Sequence, residues 1–94
     1  MNIAIPLDNN SQLCKIERLS FWELCKLENG SLKESKRYEN IKDMDEILDF
    51  IVVSDKNDDI EDFLDEGIDI LIAPFQKSVE DIVEAYIFRE LYQL

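Results

Sequence analysis

The stretch DFIVVSDKNDDIEDFLDEGIDILIAPFQKSVEDIVEAY, residues 49–86, decides the fold. Two apolar runs, 50–53 and 68–73, are each followed by a polar loop and then by a segment with helical spacing. Being apolar at nearly every position, both read as central strands covered on two faces. Between them Ile60, Phe63 and Leu64 make one apolar stripe. Asp58 and Glu61 hold the positions of a capping box there, and Gly67 supplies a C-terminal stop. After the second run Pro74 ends the strand, and Ser78 opens a helix that apolar residues extend toward Leu94. A strand-helix-strand crossover is right-handed and pairs its strands in parallel.

Upstream, Ile3, Ile5 and Leu7 alternate in a first strand that runs into Asp8-Asn9-Asn10, with Pro6 marking its end because proline has no N–H for the ladder. Phe21, Trp22 and Leu24 lead to Asn29-Gly30, a pair suited to the two positive-φ positions of a type I′ turn, so residues 20–38 read as a hairpin. Met44, Ile47 and Leu48 have the spacing of a short amphipathic helix over 43–48. The whole predicts one α/β domain spanning 1–94: a mixed sheet of about five strands in the order β, β-hairpin, α, β, α, β, α, flanked by helices.

Ten Lys and Arg stand against twenty-two Asp and Glu, a net charge of −12. The imbalance is uneven: residues 1–47 hold nine acids and seven bases, residues 48–94 thirteen acids and three bases. Phosphate backbones are bound by clustered Lys and Arg, so nucleic acid is not an expected partner. The bases gather at Lys26, Lys33, Lys36, Arg37 and Lys42, on and after the hairpin, where a solvated strand face accounts for them. No apolar run approaches the roughly 18 to 20 residues that span a bilayer, and no charged leader with an apolar core opens the chain. A cytoplasmic location follows as the expectation, with Cys14 and Cys25 reduced.

In that order the segments resemble the dinitrogenase iron-molybdenum cofactor biosynthesis family. Residues 49–86 look like its second half, MNIAIPLDNN like its first strand, and SFWELCKLENGSLKESKRYEN like its hairpin, a likeness that covers about residues 1–92. The resemblance implies a ribonuclease H-like α/β fold and a non-enzymatic small domain that binds or carries a nitrogenase metal cofactor. An iron-sulfur or iron-molybdenum cluster would then be the cargo, and a cofactor assembly protein or a second copy the partner. The departures are specific. Where the family has a His-Phe-Gly-Arg-like segment, Lys15-Ile16-Glu17-Arg18 keeps only the arginine, and the chain has no histidine. Two glycine-bearing loops are replaced by Ile41-Lys42-Asp43-Met44-Asp45 and Ser54-Asp55-Lys56-Asn57-Asp58. Glycine lets backbone amides close on an anion, whereas clustered aspartates repel one.

By that resemblance the candidate cofactor edge is Cys14, Arg18, Ser54, Lys56 and Asn57, with Cys14 the one soft metal ligand in the former histidine region. Cys25 alternates with Phe21 and Leu27 and reads as a small core residue. Asp55, Asn57, Asp59 and Glu66 fall on calcium-loop positions, but Ile60 occupies the position that needs glycine. Asp8 and Asp55 could meet at one sheet edge as a two-metal pair, yet the charge opposes a nucleic acid substrate. Tyr86, Phe88, Leu91 and Tyr92 crowd the last helix with more apolar surface than one stripe can bury, which makes them candidate interface residues. A second reading therefore stands beside the carrier: a protein-interaction or regulatory module with an acidic face and an apolar C-terminal helix.

Overall fold

Asn29 and Gly30 both adopt positive φ, 53° and 76°, the pair a type I′ turn demands. Their turn joins β2 (Phe21–Glu28) to β3 (Ser31–Tyr38), and β2 also pairs antiparallel with β1 (Asn2–Leu7). On the other side of β1 lies β4 (Phe50–Val53), in parallel, then β5 (Asp69–Ile72), also parallel to β4. A short β6 (Tyr92–Gln93) closes the sheet antiparallel to β5, giving the order β3-β2-β1-β4-β5-β6. The computed structural model describes residues 1–94.

Strand alternation divides the core into two layers. Ile3, Ile5, Leu7, Cys25, Val52 and Leu71 point to one face, where Ile82 and Val83 of α2 (Val79–Ile87) cover them. Ala4, Trp22, Ile51, Val53 and Ile70 point to the other, where they meet Ile60 and the partly buried Phe63 of α1 (Glu61–Asp65). The Trp22 and Phe63 rings meet edge to face at 5.9 Å. Burial on both faces explains why β4 and β5 lack alternation.

Four expectations are corrected. Residues 43–48 form no helix. Asn40 caps a 3₁₀ turn, Ile41–Asp43, by accepting from the Lys42 N–H at 3.0 Å. The Asn2 side-chain amide then holds the Ile47 carbonyl at 2.9 Å, so Met44 and Leu48 pack inward while Ile47 points out. Asp58 is not the helix cap: α1 starts at Glu61 behind Ile60, which makes no side-chain cap. The last helix stops at Ile87, and β6 takes the sheet to six strands instead of about five. Pro6 lies inside β1 opposite Trp22, although pairing with β4 does stop short of it, at Ala4–Ile51.

Candidate functional site

Because β1, β4 and β5 run parallel, their carboxyl ends share one edge of the sheet, the position where open α/β sheets hold ligands. Three loops meet there. The loop after β1 is tied to the loop after β5 by Leu13 N–H donating to the Lys77 carbonyl at 2.7 Å. It is tied to the loop after β4 by Asp58, which is buried and accepts from the Ile16 N–H with both carboxylate oxygens, at 3.2 and 3.3 Å. The same Asp58 carboxylate accepts from the Asp59 N–H at 2.8 Å.

Two further acids of this edge are spent on their own loops. Asp8 accepts from the Asn10 and Gln12 N–H groups at 2.8 and 3.1 Å, and Asp55 from the Asn57 N–H at 2.8 Å. Each fixes a tight turn in the way aspartate commonly does. Nowhere do three Cys, Asp or Glu side chains converge as a metal site would require.

Of the expected cofactor residues, Cys14 is half-buried at this edge. Its N–H donates to the Pro6 carbonyl at 3.1 Å, and its thiol lies 3.9 Å from the same oxygen. Burial first, then the negative charges of Asp8 and Asp58, push its thiol above the ordinary range, away from the thiolate that binds metal. Arg18, Lys56 and Asn57 are exposed and Ser54 is half-buried. A groove of about 400 Å³ at this edge is lined by Lys15, Glu17, Asn57, Asp58, Asp59, Ile60 and Glu61, so only Asn57 of the expected set borders it. With four carboxylates to one lysine it repels an anionic cluster, and one thiol held in its neutral form is a poor ligand set. The residues present do not fit a metal-cluster cofactor.

Cys25 is fully buried and pushed up to about 12 by burial and the neighbouring Glu23. Three bases of the hairpin are engaged by neighbouring side chains. Arg37 donates to Glu23 at 3.0 Å and to Ser11 at 3.1 Å while lying 4.2 Å over the Phe21 ring, Lys33 pairs with Glu28, and Lys26 with Glu46. Among the expected interface residues, Tyr86 packs against Phe50 with ring centroids 6.0 Å apart and Leu91 joins the core, whereas Phe88 and Tyr92 are exposed.

Sequence reasoning missed a second concavity. On the α1 side, residues 41–48 and α1 enclose a groove of about 520 Å³ whose apolar lining includes Met44, Ile47, Phe63 and Ile68. The helical reading of 43–48 hid it, since a helix there would have turned Ile47 inward.

These features define an α/β domain in which an antiparallel three-stranded unit is joined to a β-α-β-α unit. Solved structures share that fold throughout. A crystal structure of the protein MJ0327 of Methanocaldococcus jannaschii, described as a "putative dinitrogenase", matches with a TM-score of 0.81 at 16% identity, covering 100% of this chain and 94% of that one. A solution structure of MJ0327 gives 0.79 at 19% identity, covering 100% and 92%. The protein PH0822 gives 0.78 at 19%, covering 99% and 94%. The sequence resembles a nitrogenase-cofactor family, and the MJ0327 structures that share its fold carry a dinitrogenase description. No family model matches the sequence, and neither does any curated protein.

Proposed function

We propose that this chain is a non-enzymatic binding module that keeps the fold of the nitrogenase-related domains but docks to another protein instead of carrying a metal cluster. One observation carries the proposal: at the edge where such a fold offers a ligand site, Asp58 is buried and bonded to Ile16, closing two loops upon each other. An open cofactor site would leave those amides free for an anionic guest. The chain has no histidine to serve as a general base beside either thiol. Strand order β3-β2-β1-β4-β5 with β2 antiparallel to its neighbours supports the ribonuclease H-like assignment. No helix is long and apolar enough to cross a membrane, in keeping with a cytoplasmic setting.

The competing reading is carriage of an iron-sulfur or iron-molybdenum cluster by Cys14 with Arg18, Ser54, Lys56 and Asn57 around it, delivered to an assembly protein. The name borne by the structural neighbours favours it. Anaerobic purification, metal analysis and incubation with each cluster separate the two. The module predicts no bound metal, no spectral change, and a Cys14→Ser variant indistinguishable from the parent. Stoichiometric uptake that Cys14→Ser abolishes would overturn it.

A further inference from the structure

The groove on the α1 side has three properties that together specify an occupant. Its wall is preformed. Asn2 accepts no freedom there: its side-chain amide donates to the Ile47 carbonyl at 2.9 Å and its backbone N–H donates to the Asp49 carboxylate at 2.8 Å, while Lys26 holds Glu46. On that fixed backbone Ile47 stands 87% exposed. An isoleucine anchored in solvent beside Met44 and Phe63 is an unfilled apolar contact.

The rim is net acidic: Glu46, Asp62 and Glu66 stand against the single lysine Lys42. Glu46 is matched by Lys26, but Asp62 of α1 and Glu66 at its C-cap, one turn apart on the groove's border, form no ion pair with Lys42 or any other base. Like charges at that spacing repel. Glu66 also caps a helix C-terminus whose last turn has no base, where the dipole disfavours a carboxylate. Both costs are relieved by a cation arriving from outside.

We propose that this groove receives a basic amphipathic segment of a partner protein. An apolar side chain would enter between Ile47 and Phe63, and lysine or arginine would meet Asp62 and Glu66. The proposal rests on the binding-module reading and adds the site and the chemistry of the partner.

The test is an NMR titration of the intact chain with a short amphipathic peptide of leucine and lysine. Amide shifts should concentrate at Met44, Ile47, Phe63 and Glu66. Ile47→Ser, at a site too exposed to affect folding, should weaken binding by at least about tenfold. The double variant Asp62→Asn, Glu66→Gln should weaken it further and flatten its salt dependence, whereas Phe88→Ser should leave it unchanged. Shifts centred on Phe88 and Tyr92, equal affinity in Ile47→Ser, self-association through the groove, or no binding would each overturn the groove assignment. Cluster uptake in the experiment above would instead overturn the module reading itself, so the two failures are distinguishable.

Discussion

Asp58 does at the residue scale what the sequence assigned to a helix cap. Its place three residues before Glu61 reads as a capping box, but the buried carboxylate reaches 42 positions back along the chain to Ile16. A long-range partner of this kind leaves no periodic trace in a sequence. Asp58→Ala strands the Ile16 and Asp59 N–H groups and should cost about 1–3 kcal/mol in denaturant unfolding. Asp58→Asn, which keeps an accepting oxygen, should cost less. Cys25, by contrast, was legible from simple alternation, and its burial has a consequence for pH. Burial first, then the charge of Glu23, pushes its folded thiol up to about 12 from the ordinary 9.0. The unfolded thiol therefore loses its proton first, so the stabilisation is fully present below pH 9 and is lost as pH rises toward 12. Stability should fall there with a slope of at most about 1.4 kcal/mol per pH unit. Cys25→Ala should remove that component of the slope, whatever its constant cost from the smaller side chain.

At the scale of elements, two helix ends built alike were unequally readable. After α1, the Gly67 N–H donates to the Leu64 carbonyl and the Ile68 N–H to Phe63, both at 3.0 Å, the paired bonds of a Schellman motif. After α2 the same bonds recur, Arg89 to Tyr86 at 3.0 Å and Glu90 to Ala85 at 2.8 Å. Gly67 announces the first stop, whereas Arg89 takes a φ of 59° with a full side chain, so nothing in composition announces the second. Gly67→Ala should destabilise by about 1–2 kcal/mol from left-handed strain, although nothing lies within 4 Å of the added Cβ. Arg89→Gly should relieve the same strain and stabilise by about 1 kcal/mol. Thermal or denaturant unfolding checks both. The turn at Arg89 also sorts the crowded apolar residues: Leu91 folds back onto the core while Phe88 stays in solvent. Leu91→Asp should therefore cost more than about 2 kcal/mol by burying a charge. Phe88→Asp should stay within about 0.5 kcal/mol.

For the whole molecule, the order of elements along the chain and the two-sided burial of β4 and β5 follow from local patterns: apolar runs, the Asn29-Gly30 turn and the crossover rule. They were readable for that reason. The state of the candidate site depends on contacts between loops far apart in sequence, and the family resemblance implied only that two glycine-bearing loops had given way to acidic ones. In the loop after β4 Asp55 fixes its own turn and Asp58 joins two loops, while Asp8 fixes the turn after β1. A fold held in common with the structure described as a "putative dinitrogenase" thus comes, in this chain, with the loops at the carboxyl edge of its sheet tied to one another. The Ile16 N–H is the most direct reporter of that closure, because it lies in a surface turn and its one acceptor is Asp58. Its hydrogen exchange, followed by NMR in the parent and in Asp58→Ala, is the deciding measurement. Closure requires slow exchange in the parent that is lost in the variant, whereas an Ile16 amide exchanging at the rate of an unstructured peptide in both would show the edge to be open.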